Sequence, residues 1–280
     1  DPSPLREMQA RHRDVAASFA PGAFRPVPAF RNRHVQTILG VFLRTARDCA
    51  YVTEPGLAGV SKILRAILSL DPAAKENDSD FWDERVRVAS GCGLDFFHAD
   101  VKYAGPKQSL WQSAESEGMV ILIHGLESNS NSSLSTDMAT AYLEEGFDVV
   151  CLNFRGCSGV PNDTPGGYHL GFTDDLIAYL ELLRAAVDAK ALDARPVYLS
   201  GFSLGANVVV KALGELGETA RTRHNIRGAA VTGAPFDLER NVRFIDAPGF
   251  NRAVYTANFL KTLKTRAESQ LRTHCESDPS

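Results

Sequence analysis

YLSGFSLGANVVVKALGEL, residues 198–216, decides how this chain is read. Val197, Tyr198 and Leu199 form an apolar run of the strand kind, and Val208, Val209, Ala212, Leu213 and Leu216 recur at helical spacing. Between them, Gly201-Phe202-Ser203-Leu204-Gly205 fits G-x-S-x-G, a strained strand-to-helix turn that lifts a serine hydroxyl clear of a sheet. Glycines flank the serine because side chains there would strike the neighbouring strand and helix. The pattern alone is weak, since on the order of 0.1 chance matches are expected in a chain this long when about 7% of residues are glycine. The strand before it and the helix after it give it weight. The competing reading is a glycine-rich turn whose serine only caps a helix.

Strand–helix units flank this stretch. Residues 119–123, MVILI, are continuously apolar, as a strand buried on both faces should be. A helix at 134–143 follows, stopped at Gly146, and then a second buried strand at 147–152. A loop rich in Gly, Pro and Asn, 156–167, leads to a helix opening near Thr173, where Asp174 and Asp175 suit the positive end of the dipole. A last strand is read at 228–232. Repeated units of this kind predict a mostly parallel sheet with helices on both faces. Upstream, residues 84–88 alternate and 94–101 are apolar and aromatic, with Gly91-Cys92-Gly93 between them, which predicts N-terminal antiparallel strands at a sheet edge. Residues 104–118 read as a polar loop. After Asp237 the apolar residues, among them Phe244, Phe250, Phe259 and Leu263, keep helical spacing, and no further buried strand is seen. Three regions result. They are an N-terminal extension, 1–80, with a short amphipathic helix at 57–70; a strand–helix core, 81–236; and a helical lid or cap with a polar tail, 237–280.

The 280 residues are 44% hydrophobic with a formal net charge of −4. That is ample for one large core and leaves no cationic excess to neutralise phosphates, which argues against a nucleic-acid partner. No run reaches the roughly 18 apolar residues of a membrane span. The chain starts at Asp1 rather than Met, so anchoring through a segment not present here stays open, as does peripheral membrane contact. Five cysteines, without a C-x-x-C, suggest neither a disulfide framework nor a zinc site. The odd count, and a sequon at Asn131 where a glycan would obstruct the serine, favour a reducing intracellular compartment.

A serine hydroxyl is a weak nucleophile until a histidine accepts its proton, and the tetrahedral oxyanion needs fixed N–H donors. In the strand–turn–helix layout one donor is the backbone N–H after the serine, here Leu204. The other comes from the loop after an earlier strand, where His124-Gly125-Leu126 makes Leu126 the candidate. His124 precedes the serine, whereas the histidine of this layout comes last, so it is read as a brace for its own loop.

Five motifs together carry a resemblance: Asn32-x-His34-x-Gln36-Thr37; His124-Gly125-Leu126-Glu127; Asn153-Phe154-Arg155-Gly156-Cys157; Tyr168-His169-x-Gly171-x-Thr173-x-Asp175; and Gly201 through Asn207. The chain resembles the α/β-hydrolases, and within them the YheT-like branch of bacterial YheT proteins, plant embryogenesis-associated hydrolases and animal ABHD lipases. That resemblance implies an α/β-hydrolase fold and a serine carboxylic-ester hydrolase acting through an acyl-enzyme on Ser203. It implies a small-molecule acyl ester as substrate, acylglycerol-like or phospholipid-like, with no metal and no organic cofactor. Ser128 and Ala206 stand where the family has Gly, usually at the first position and often at the second. The family takes its triad acid and base from two further strands, which are not found, so the copy is expected to be C-terminally incomplete with its last strands missing. Asp237 and His274 are the remaining candidates, because His224 precedes the last strand. A nucleophile without acid and base leaves a second reading open, a non-catalytic α/β-hydrolase-fold protein that binds an acyl ligand or a partner.

Overall fold

The computed structural model of the chain describes residues 81–275 apart from 92 and 110. The helix expected at 57–70 and the motif at 32–37 lie outside the described residues. In chain order the elements are β1 (Glu84–Ala89), β2 (Phe96–Lys102), β3 (Lys107–Ser109), β4 (Gln112–Ser113), β5 (Met119–Ile123), α1 (Ser133–Glu144), β6 (Asp148–Asn153), α2 (Asp174–Asp188), β7 (Val197–Phe202), α3 (Leu204–Leu216), α4 (Thr219–Thr222), β8 (Ile226–Thr232), α5 (Leu238–Ile245), a π-helical turn (Arg252–Thr256) and α6 (Ala257–Cys275).

Six strands form one sheet in the order β1-β2-β6-β5-β7-β8. β1, β2 and β6 pair antiparallel, while β6, β5, β7 and β8 run parallel. The sheet is therefore mostly parallel, with its antiparallel strands at the N-terminal end of the chain. β5 sits in the middle, and all five of its residues are buried. Its side chains alternate between the two faces, as the pleat requires. Ile121 and Ile123 pack with α2 and α3 through Leu176, Leu180 and Val208. Leu122 faces the other way, with Ala139 of α1 and Val149, Cys151 and Phe202. Each fully buried aliphatic side chain of this kind contributes about 2 kcal/mol of burial free energy. Together they fix the register that matters for function, in which Ile123 lies opposite Gly201. The loops leaving β5 and β7 thus emerge side by side at one end of the sheet.

The 104–118 stretch differs from the loop its polarity predicted. It holds the short antiparallel pair β3–β4, with Trp111 in the connection at φ 55° and buried against Tyr179 at 5.8 Å between ring centroids. After β8, no described residue adds a strand. α5 buries none of its residues, and the chain then passes Pro248 and Gly249 before α6 begins.

Candidate active site

Ser203 stands between the last residue of β7 and the first of α3, at φ 54° and ψ −120°. An L residue holds such a conformation at a cost of about 1–3 kcal/mol, and only when its surroundings enforce it. Two glycines make the turn sterically possible. A Cβ on Gly201 would come within 2.7 Å of Gly205 C, and one on Gly205 within 2.6 Å of Ile123 C. The first conflict is with α3 itself and the second with the end of β5. Ser203 N–H donates to Thr232 O at 2.9 Å, which ties the turn to β8. The serine side chain caps no helix N–H and is exposed, so the helix-cap reading of this residue fails.

The loop after β5 passes directly over the serine. A Cβ on Gly125 would lie 3.2 Å from Ser203 Cβ. Leu126, next in the chain, is half-buried, and Leu204 is buried at the first position of α3. Neither Leu126 N–H nor Leu204 N–H donates to another described group. A free N–H at a helix N-terminus is a setting suited to developing negative charge.

The loop is braced from beneath. His124 is fully buried, its Nδ1–H donates to Gly125 O at 2.8 Å, and its Nε2 accepts from Phe154 N–H at 3.1 Å. Burial lowers its pKa to about 4; the Gly125 carbonyl opposes that shift and the Arg266 charge adds to it. The ring is therefore neutral at pH 7 and both nitrogens are occupied, as a brace needs and a general base does not. Glu127, at φ 52°, donates its N–H to Tyr168 Oη at 2.8 Å and accepts from the same hydroxyl at Oε1 at 2.7 Å. Tyr168 stacks on Phe154 at 4.5 Å.

Arg266 of α6 completes this cluster, and sequence reasoning passed over it. Its Nη1 donates to Glu127 Oε1 at 2.6 Å and contacts Cys157 Sγ at 3.1 Å, its Nη2 donates to Arg155 O, and its guanidinium lies 4.6 Å from the Tyr168 ring centroid. A Cβ on Gly156, at φ 70°, would fall 2.7 Å from that Nη2. The glycine of the Asn153-Phe154-Arg155-Gly156-Cys157 motif is thus what admits the arginine. A lone arginine in an amphipathic segment carries no sequence signal of such a role.

Neither of the remaining candidates hydrogen-bonds Ser203. The Asp237 carboxylate caps α5, accepting from Arg240 N–H at 3.0 Å. His274 is near the end of α6. His224 lines a cavity of about 60 Å³ together with Met119, Val197 and Asn225, at the end of the parallel strands opposite Ser203. That cavity is too distant along the sheet to hold a group reacting with Ser203. No described histidine hydrogen-bonds Ser203 Oγ. Among the described residues no group of three His, Cys, Asp or Glu side chains is arranged to hold a metal ion.

The chain was compared with known proteins. A family model described as the alpha/beta hydrolase fold matches residues 118–278, more than half of the chain. Over 158 residues the chain is 31% identical to the YheT protein of Escherichia coli, covering 56% of this chain and 43% of that one. It is 26% identical over 221 residues to an embryogenesis-associated protein of Picea glauca, covering 77% and 38%. It is 31% identical over 158 residues to a monoacylglycerol lipase of Saccharomyces cerevisiae, covering 55% and 32%. The chain thus matches roughly a third to two fifths of the length of these relatives.

Proposed function

This chain belongs to the alpha/beta hydrolase fold family, and on that premise we propose that it is built for serine-dependent hydrolysis of carboxylic esters, with Ser203 as nucleophile. The observation that carries the reading is the geometry of Ser203. Its side chain is exposed and uncapped on a strained turn, with the loop of Gly125 passing over it. In the proposed reaction Ser203 Oγ bonds to the ester carbonyl carbon and its proton passes to a base. The carbonyl oxygen gathers negative charge opposite the N–H groups of Leu126 and Leu204. Collapse of that intermediate expels the alcohol, which takes up a proton, and water then releases the acid from Ser203. A single oxyanion donor is commonly worth about 10²–10³ in rate.

Amphiphilic lipid esters, acylglycerol-like or phospholipid-like, are the proposed substrate class. Two things support this choice: the name of the yeast relative, and the helical segment 237–275 with its apolar side chains, which we read as a lid. A second reading has one specific observation in its favour. With no described histidine on Ser203, the site would bind an acyl ligand without turning it over.

A fluorophosphonate probe separates the two. We expect one adduct, on Ser203, absent from Ser203→Ala and formed faster as pH rises, because hydroxide can take the proton a base would otherwise accept. A chain that stays unlabelled at Ser203 up to high pH would leave only the binding reading.

A further inference from the structure

We propose that the cavity of about 60 Å³ at the far end of the sheet from Ser203 is a binding site for a short, neutral alcohol, whose hydroxyl donates to His224 Nδ1. The wall is largely apolar. Trp111, Leu180, Leu183, Leu192 and Val197 line it, and all five are buried. His224 is the side chain that points to a ligand. It is 1% exposed, and its Nε2 is turned to Glu181 Oε1, 3.5 Å away. Nδ1, on the other side of the ring, is buried and has no hydrogen-bond partner among the described residues. A buried polar atom without a partner is rare and costly, so a ligand that supplies one gains by it. A lone water is poorly suited, because it needs about two to four polar partners and an apolar wall offers few.

The ring's protonation fixes the chemistry of the ligand. The Glu181 carboxylate draws the proton to Nε2, which leaves Nδ1 as an acceptor. Burial holds the His224 pKa below the ordinary value, with Arg223 and Arg184 adding to that shift and the Glu181 charge and Leu180 carbonyl opposing it. A carboxylate ligand has only acceptors to set against Nδ1. The arginines of the lining do not call for one either: Arg184 is paired with Asp188, Arg223 with Glu181, and Arg195 donates to Ser113 O and Ser116 O at 3.1 and 2.7 Å. An ammonium ligand needs a buried acid, and the acid of the lining, Asp193, is exposed. A hydroxyl supplies the donor without a charge. Size sets the rest. An apolar cavity of roughly 150 Å³ takes benzene, so this one suits an alcohol of about two or three carbons. The site is independent of the ester-hydrolase reading, because it lies at the opposite end of the parallel strands from Ser203.

The test is a titration of the isotope-labelled full chain with n-propanol, followed by NMR at the imidazole nitrogens of His224. The Nδ1 resonance should move upfield, as a nitrogen lone pair does on accepting a hydrogen bond, and should saturate with a Kd of about 1–10 mM, near the limit for so few heavy atoms. n-Propyl chloride, of similar shape but without a donor, should bind about tenfold more weakly. Propanoate and n-propylammonium should give no saturable shift. In His224→Leu, saturation-transfer signals should show n-propanol and n-propyl chloride binding within about twofold of each other. If that variant does not fold, the ligand series on the unaltered chain decides. Four results would overturn the proposal: no saturable shift up to about 100 mM n-propanol; n-propyl chloride bound as tightly; propanoate or n-propylammonium preferred; or a preference for the hydroxyl that survives in His224→Leu. Binding with an unreactive Ser203 would keep the site and remove the hydrolase reading. A reactive Ser203 without binding would do the reverse.

Discussion

His124 shows how one buried side chain sets a condition on the whole site. Its ring works as a brace only when neutral, because a proton on Nε2 would face the Phe154 N–H 3.1 Å away with no acceptor between them. Its pKa lies at about 4, against 6.5 for an ordinary histidine, and burial is the main cause. Between those values the unfolded chain binds a proton that the folded chain refuses, so the stability due to this residue is complete above pH 6.5. It is lost as pH falls from 6.5 toward 4. The whole effect is on the order of 3 kcal/mol. We expect urea unfolding at pH 4 to 7.5 to show that loss, and the pH dependence to flatten in His124→Asn, even though the variant is less stable at neutral pH. Equal slopes in the two proteins would mean that His124 is not the residue being titrated. At Ser203 the backbone stands at φ 54° and the exposed side chain makes no cap hydrogen bond to the helix it precedes.

At the scale of elements, α3 can approach β5 only because Gly205 has no side chain. An added Cβ would lie 2.5 Å from His124 O, and the only relief is to push the helix or the loop after β5 away. Gly214 lies in the same helix with nothing within 4 Å of where its Cβ would be. Gly205→Ala should therefore destabilise the protein by about 3 kcal/mol or more, while Gly214→Ala should stabilise it by about 0.5–1 kcal/mol. Chemical denaturation of the two variants side by side checks this, and a similar loss in both would show that the close approach is not the cause. The same physics explains why the turn could be read in the sequence. Backbone contact at this range allows only glycine, and glycine is visible in a string of letters. Doubly buried strands such as β5 were legible for a comparable reason, since both faces demand apolar residues. The β3–β4 pair was not, because strands of three and two residues are too short for a period and neither holds an apolar residue. Arg266 was illegible as well, because its partners are Glu127, Arg155 and Cys157, more than a hundred residues away. Only the assembled fold brings them together.

At the scale of the molecule, Ser203 and the described histidines are segregated, and under the proposed hydrolase reading that decides what rate to expect. His98 is bound to Ser158, His124 is sealed under its loop, His169 accepts from Gly171 N–H, His224 lies at the opposite end of the sheet, and His274 is near the end of α6. None of these hydrogen-bonds Ser203. A serine that keeps its proton loses the general-base contribution, and what survives is binding and oxyanion stabilisation. In other triads that residue of catalysis is roughly 10³–10⁴-fold over water and does not depend on the serine. Turnover of p-nitrophenyl butyrate by this chain should accordingly stay within about tenfold of its Ser203→Ala control. The Ser203-dependent part should rise with pH without an inflection near 6.5, since no described histidine gates it. Added imidazole should increase that part, because a small base can stand where a side chain does not. A rate hundreds of times above the control, with a histidine-like inflection, would mean that a base reaches Ser203 in solution. His274→Ala would then test whether that base is His274, which lies on the helix that Arg266 ties to Glu127.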